Sequence, residues 1–418
     1  MKILIIGSGA REHALTWAIS QNPRCTTIYC SPGNAGTATL ATNVDIDVTS
    51  NDEILEICLE YSIDMVVVGP EKQFEQGLTN ALKEKNILVF GPTKEASQLE
   101  TSKSFTKIMC KHKNIPTGNY EIFSKEGDAR EFLRAQPKPF VIKADGLAAG
   151  KGVLVSSDFE EGNQFISSIF DGKIGTEKNK VIIEEYLEGQ EVSVFFAIDK
   201  NTIKYIGSAQ DYKRAFDHDR GPNTGGMGAF SPSPLLTKRN LAKIVNEIVK
   251  PTVEYMRDTS SDFSGILYAG LILNKGEPKL IEYNVRFGDP ECQALCIRLG
   301  AQILDIYFSG AKNELSDLSI NEADDSAITV IVAAKGYPEN PKSGCELNDI
   351  VNTKYDNGLK IFHAGTYFEN NLLCNSGGRI FSFTARSTDL HTAREIVYKQ
   401  LNKIENENIF YRTDIGSD

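Results

Sequence analysis

Short apolar runs alternate with helix-length amphipathic stretches over the first hundred residues. Lys2–Ile6, Thr26–Tyr29, Asp64–Val68 and Ile87–Phe90 read as strands, and Glu12–Gln21 and Asp52–Tyr61 between them read as helices. That order predicts a parallel sheet covered on both faces, with ligands at the carboxyl ends of its strands. Each of those ends carries turn chemistry: Gly7-Ser8-Gly9, Ser31-Pro32-Gly33-Asn34, Gly69-Pro70-Glu71 and Gly91-Pro92. Four such turns at one sheet edge make a rim where backbone can approach a ligand closely.

Beyond Thr101 the pattern changes. A helix over Ser102–Lys113 leads to a strand, a helix, the strand Phe140–Asp145, a glycine loop and the strand Val153–Val155. After another helix come Val181–Leu187 and Glu191–Ile198, which predicts an α+β unit of mostly antiparallel neighbours. Residues 208–234 break all periodicity, and a connection of this length is expected to be a functional or disordered loop. A helix over Lys238–Met256, strands at Ile266–Leu273 and Pro278–Val285, and one helix over Glu291–Phe308 complete the section. The polar stretch Asn313–Asp325 reads as a linker. Strands at Ala327–Ala333, Leu359–Phe362 and Arg379–Ala385 follow. A last helix has the apolar face Leu390, Ala393, Val397, Leu401 and Ile404, so the tail is a small folded α+β domain.

The formal net charge of −11 offers nothing to counter a phosphate backbone, so nucleic-acid binding driven by overall charge is not expected, while a small anionic ligand stays open. The apolar run at the N-terminus is too short for a signal peptide and reads as a first strand. No run approaches the roughly 18 to 20 residues needed to span a bilayer, including Ala327–Ala334, so no membrane partner is expected. Eight scattered cysteines, without C-x-x-C or zinc spacing, fit reduced thiols in a cytoplasmic protein.

Four motifs carry chemistry. Gly7-x-Gly9-x-x-Glu12 approaches the dinucleotide fingerprint, but Glu12 replaces the third glycine and no acid follows the second strand, which argues against NAD. What is left is a helix N-terminus that can face a phosphate or simply close a tight turn, with Arg11 and His13 as further donors or as surface groups. Lys143-Ala-Asp-Gly-Leu-Ala-Ala-Gly-Lys151-Gly152 is not a Walker loop, yet it combines exposed amides with two lysines, as polyphosphate binding requires and as a hairpin loop with two solvated lysines would also show. The run Val181 to Glu191 passes from a buried strand into closely spaced carboxylates, suited to an adenine edge and ribose hydroxyls or to an acidic surface turn. In Glu282-Tyr-Asn284-Val-Arg286, alternation puts the three polar side chains on one face. Glu and Asn oxygens beside an Arg suit Mg²⁺ and the phosphate oxygens it bridges, and equally a solvent-facing edge strand. The loop from Asp211-Tyr-Lys-Arg214 to Gly221–Gly228 joins charges to a glycine segment, as a loop closing over a polar substrate would.

Together these stretches, with Gly9-Ala-Arg-Glu-His-Ala14, Pro32-Gly-Asn-Ala-Gly-Thr37, Val68-Gly-Pro-Glu71, Phe287-Gly-Asp-Pro-Glu291 and Phe362-His-Ala-Gly-Thr366, resemble the phosphoribosylamine-glycine ligase (glycinamide ribonucleotide synthetase) family of the ATP-grasp superfamily. The resemblance implies a Rossmann-like N-terminal domain (1–101), an ATP-grasp core (102–325, with a mobile lid at about 121–190) and a small C-terminal domain (326–418). It implies an ADP-forming ligase in purine biosynthesis that joins glycine to 5-phosphoribosylamine through glycyl phosphate, with ATP as co-substrate and Mg²⁺ or Mn²⁺ as cofactor. By the same resemblance Lys103 and Lys143 hold ATP phosphates, and the loop with Gly146, Gly150 and Lys151 covers them. Glu184, Glu185 and Leu187 meet adenine, Glu191 meets the ribose, and Glu282 and Asn284 bind the metal. Arg286, Lys143 and Asp211 act in catalysis, and Gly9, Asn34, Glu71, Asp211 and Arg286 bind substrate. The stretch 268–273, where many ATP-grasp enzymes carry another metal-binding Glu, has no acid.

Overall fold

The protein is described here by a computed structural model, which covers residues 1–148, 151–175, 180–321, 323–356 and 358–417. The predicted N-terminal sheet is present and wholly parallel: Lys2–Gly7 lies at its centre between Thr27–Pro32 and Met65–Val68, with Thr42–Asn43 and Leu88–Val89 at the edges. Its central strands read Ile-Leu-Ile-Ile and Met-Val-Val-Val because both faces are buried. One face packs on the helices Asn51–Glu60 and Leu78–Glu84. The other packs on Ala10–Ser20 and on two helices from far along the chain, Glu291–Leu299 and Gln302–Ala311. The N-terminal sheet is thus completed by a segment nearly three hundred residues away, and no sequence-local unit holds its whole core.

A second sheet is antiparallel and unexpectedly long. It runs in the order Glu277–Asn284, Gly265–Asn274, Gln190–Ile198, Ile203–Asp211, Gly228–Ser231, Ser326–Ala334, Arg379–Ser387 and Leu359–His363. The short strand Gly228–Ser231 is the link: it pairs with Ile203–Asp211 on one side and Ser326–Ala334 on the other, so the C-terminal strands extend the core sheet. The expected irregular loop at 208–234 is accordingly mostly strand, including the hairpin Arg214–Phe216 with Arg220–Asn223. Its four glycines and three prolines had masked strands that are only three or four residues long.

Two helices also differ from expectation. Glu291–Phe308 breaks into two at Gly300, whose φ of +53° with ψ of −131° no helix accommodates. The helix over Lys238–Asp258 is continuous but widens to π geometry over Ile244–Val249, immediately before Lys250-Pro251. Proline lacks an N–H for the regular ladder, and the wider turn relieves that loss.

The third sheet stands apart. Tyr120–Phe123, Val181–Glu185, Phe140–Ala144 and Val153–Ser156 pair antiparallel, backed by the helices Glu126–Arg134 and Phe159–Phe170 around their own core of Leu133, Phe140, Ile142, Ile166, Ile169 and Ile183. A separate core is what a lid moving as a unit requires. The hairpin between Phe140–Ala144 and Val153–Ser156 carries the glycine loop at its tip.

Candidate active site

The candidate site lies where the third sheet meets the strand Glu277–Asn284 of the second. Lys143 is buried near the end of its strand, and its Nζ lies 3.1 Å from Glu184 Oε1 and 3.3 Å from the Ile281 carbonyl. Glu184, in the neighbouring strand, also meets Lys107 Nζ at 2.8 Å. Lys103 Nζ donates to the Gly146 carbonyl at 3.1 Å, and so touches the glycine loop from below. Asp145, fully buried, accepts from the Ser104 and Gly146 amides at 3.1 Å and from the Ser104 hydroxyl, which ties that loop to the N-terminus of the helix Lys103–Lys113. Burial pushes the Lys103 and Lys107 ammonium groups below the ordinary lysine value, with Lys143 adding to the effect, while Glu282 opposes it at Lys103 and Glu184 at Lys107. Three crowded cations, two of them sharing one carboxylate, favour the arrival of a polyanion.

Not every residue expected at this end presents itself equally. Lys151 is exposed, and Gly150 lies outside the described residues. Glu184 turns its side chain inward to the lysines, whereas Glu185 accepts from Asn119 at 2.7 Å and meets Lys279 at 3.3 Å. Leu187 lies half-buried just past the strand end, and Glu191 is exposed and paired with Lys213. Lys107 was missed in the sequence. It sits four residues after Lys103, on the same helix face, and that spacing was the available signal.

On the facing strand, Glu282 lies opposite Gly270 and Asn284 opposite Tyr268. Among the described residues neither the Glu282 carboxylate nor the Asn284 amide has a hydrogen-bond or ion-pair partner. Burial raises the Glu282 pKa, but Lys213, Lys143, Lys103 and Arg286 together hold it below the usual glutamate range. An ionised carboxylate and an amide, unpartnered and ringed by cations, fit a hard divalent ion that keeps most of its shell for water and phosphate oxygens.

Arg286 departs from the expected alternation. The strand ends at Asn284, and Arg286 turns away to the N-terminal domain. Its Nε lies 3.1 Å from Glu71, its Nη2 2.7 Å from Glu100, and its Nη1 donates to the Phe287 carbonyl at 3.1 Å. Glu100 also accepts from the Val285 amide at 2.8 Å. Burial raises the Glu100 carboxyl to about 7 despite the opposing pull of Arg286, while at Glu71 Arg286 and Arg11 outweigh burial and hold the carboxyl low. Glu100 had no sequence signal, since it falls in a one-turn helix between two domains.

The N-terminal rim is more occupied than the sequence suggested. Glu12 folds back so that its Oε2 accepts from the Gly9 amide at 2.6 Å, and its Oε1 accepts from Arg11 Nε at 2.7 Å. The missing third glycine of the fingerprint is therefore a carboxylate that fills the turn. Arg11 and His13 are buried, not surface groups. His13 Nδ1 accepts from the His363 amide at 2.9 Å, and burial, with His363 nearby, holds its pKa down at about 3, so it is neutral. The Asn34 side chain is saturated: its Nδ2 donates to the Ser8 and His363 carbonyls at 2.8 Å, and its Oδ1 accepts from the Gly36 and Thr37 amides. Gly9, Asn34 and Glu71 do come to one sheet edge, but the Asn34 side chain and the Gly9 and Asn34 amides are already bonded within the protein, so Asn34 shapes that edge.

Asp211 ends the strand Ile203–Asp211, and the next turn brings Lys213 beside Glu191. Burial raises the Asp211 carboxyl, Lys213 opposes this, and Glu291 and Glu191 add to it. Glu291 is itself buried, with Ser193 Oγ 3.4 Å from its Oε1 and 2.8 Å from the Tyr268 hydroxyl. Arg379 of the C-terminal strands donates to the Gly225 carbonyl at 2.6 Å and the Asp289 carbonyl at 2.8 Å, holding the Gly221–Gly228 segment over this corner.

Comparison with known proteins agrees along the whole chain. Residues 1–100 match the phosphoribosylglycinamide synthetase N domain, 101–292 its ATP-grasp (A) domain and 327–418 its C domain. The chain is 43% identical over 416 residues to the phosphoribosylamine–glycine ligase of Brucella melitensis, covering 100% of this chain and 97% of that one. It is 44% identical over 416 residues to that of Agrobacterium fabrum, covering 100% and 98%. The crystal structure of phosphoribosylamine–glycine ligase from Thermotoga maritima superposes with a TM-score of 0.87 at 32% identity, covering 99% of this chain and all of that one.

Proposed function

The chain belongs to the phosphoribosylglycinamide synthetase family, and we propose that its cleft carries out the ATP-dependent joining of glycine to 5-phosphoribosylamine in purine biosynthesis through a glycyl phosphate. The observation that supports this reading is the unpartnered pair Glu282 and Asn284 within a ring of Lys103, Lys143, Lys213 and Arg286. A carboxylate is a poor acyl donor, and phosphorylation gives it a leaving group. The three lysines Lys103, Lys107 and Lys143 hold the triphosphate and neutralise charge on the phosphoryl group in flight. Glu282 and Asn284 would hold Mg²⁺ or Mn²⁺, whose charge would help neutralise the transferred phosphoryl group.

Arg286, fixed by Glu71, Glu100 and the Phe287 carbonyl, supplies the positive charge that would face the glycine carboxylate. Asp211 and Glu291 supply negative charge for an amino group, and Asp211, raised by burial, can accept a proton from the attacking amine. The acceptor would bind at the N-terminal rim, where Gly9, Asn34 and Glu71 sit at the carboxyl ends of the parallel strands. The separately packed third sheet carries Lys143 and the glycine loop; its closure excludes water from a hydrolysable acyl phosphate. No helix among the described residues is long and apolar enough to cross a membrane, and a cytoplasmic site of action fits this reading.

Glycine labelled with ¹⁸O in its carboxylate tests the mechanism. One labelled oxygen is expected in the inorganic phosphate released with product. Product formed with unlabelled phosphate would sink the glycyl phosphate route.

A further inference from the structure

Asp211 and Lys213 lie at the root of a hairpin that has little to hold it. Its strands, Arg214–Phe216 and Arg220–Asn223, form a two-stranded sheet of their own, and such a hairpin is marginal in water. The tip is tight, with His218 and Asp219 both in the left-handed region at φ of +59° and +49°.

The C-terminal tail supplies what the hairpin lacks. Ile409–Phe410 pairs with the strand Ser326–Ala334, which anchors the tail to the long sheet. Arg412 then enters the space under the hairpin and is 1% exposed. Its Nη1 donates to the Arg214 carbonyl at 3.0 Å and to Asp219 Oδ1 at 2.9 Å. Its Nε and Nη2 grip both oxygens of Asp414 at 2.8 and 2.7 Å, and the guanidinium lies 4.9 Å from the centre of the Tyr212 ring. Neighbouring tail residues repeat the grip. The Thr413 amide donates to Asp217 Oδ1 at 2.8 Å, Asp414 accepts from the His218 amide at 2.8 Å, and the Gly416 amide donates to the Tyr212 hydroxyl at 3.0 Å. The tail therefore holds the hairpin at its tip, through Asp217, His218 and Asp219, and at its root, through Tyr212, the residue between Asp211 and Lys213.

We propose that Arg412 is a positioning residue that sets the Asp211–Lys213 corner for the amino-acid substrate. This rests on the reading of that corner as part of the substrate site. The nucleotide lysines lie on other elements, the helix Lys103–Lys113 and the third sheet, and no contact of Arg412 reaches them. Loss of Arg412 frees the corner and leaves the lysines that would hold the triphosphate in place.

The test measures ADP release by full-length protein with glycine, 5-phosphoribosylamine and ATP varied in turn. Arg412→Ala is expected to raise KM for glycine about tenfold, since small misplacements of a binding group carry such costs, with KM for ATP essentially unchanged. Arg412→Lys, which keeps the charge near Asp219 and Asp414 but not the planar fork, should recover part of the loss. Should Arg412→Ala fail to fold, Asp217→Asn with Thr413→Val loosens the same hairpin from its exposed side and should move glycine KM in the same direction. A fall in kcat with both KM values unchanged, or an equal rise in both, overturns the proposal in favour of a purely structural tail. Lys213→Ala separates the two layers. If it impairs glycine use while both tail variants leave glycine KM unchanged, only the positioning role fails; if it has no effect on glycine use, the reading of the corner fails and the proposal with it.

Discussion

At the lysine end of the cleft, Lys107 and Lys143 share Glu184 as a buried ion-pair partner, and Lys103 lies close enough to feel the Lys143 charge. Around Arg286 the balance is reversed: Arg286 and Arg11 face Glu71, Glu100, Glu12 and Asp289. The nucleotide end is left cationic and strained by burial, and a polyanion relieves it. The Arg286 end is neutralised by its own ion pairs and is held in place by them. On the proposed reading one end would select by charge and the other by geometry, because ATP is a polyanion while glycine is a zwitterion with no net charge to attract.

The comparison breaks most sharply at Glu282, the carboxylate on which Lys213, Lys143, Lys103 and Arg286 all act. Glu282→Gln keeps size and removes charge, so turnover should fall about a hundredfold, the scale for losing one preorganised electrostatic group. The Mg²⁺ requirement should rise with it, and normal turnover at low Mg²⁺ would move the metal site elsewhere. Next in size, Lys143→Ala should raise KM for ATP about tenfold, consistent with roughly 1.5 to 3 kcal/mol for a charge-assisted contact. Lys107 still satisfies Glu184 in that variant, so the fold should persist, as circular dichroism can check. An unchanged KM for ATP would place the triphosphate off this lysine.

At the geometric end the effects should be smaller and fall on the other substrate. Arg286→Lys retains charge but cannot span Glu71 and Glu100 together, so KM for glycine should rise about fivefold, near the worth of one net hydrogen bond. ATP kinetics that change in parallel would show that the two ends are not separable. The smallest effect concerns pH. Glu100 has a folded pKa of about 7 against an ordinary 4.5, so between these values the folded state holds a proton that the unfolded chain has released. Its contribution to stability is present below about pH 4.5 and is lost as pH rises through about 7. Glu100→Gln, which cannot titrate, should flatten the fall in melting temperature across that window. A slope equal to that of the parent protein would mean that Glu100 is ionised throughout.

Much of this protein was legible in the order of its residues. The parallel N-terminal strands showed as unbroken apolar runs, and the glycine loop after Lys143 as backbone exposed between two lysines. Glu282 and Asn284 showed as alternating polar positions in an apolar strand. These signals are local: a strand's period, a turn's glycine and a ligand pair two residues apart are all set by neighbouring backbone geometry. The same local logic misled at 208–234, where strands of three or four residues are shorter than any period can reveal, and at Glu291–Phe308, where Gly300 interrupts an otherwise helical pattern.

What the sequence by itself determined is therefore the class of each element, the chemistry of the loops and the family. The tertiary structure alone decided which charges meet. Glu100 reaches Arg286 across 186 positions, Asn34 reaches His363 across 329, and Arg412 reaches Asp219 across 193. Glu12, which reads as a flawed fingerprint, becomes the group that fills its turn. Such pairings leave no periodic trace, because a salt bridge needs only two atoms within a few ångströms and sets no spacing along the chain. The sequence supplies the charges, but only the packing of three sheets sorts them into a cationic end that waits for a ligand and a neutralised end that is already built.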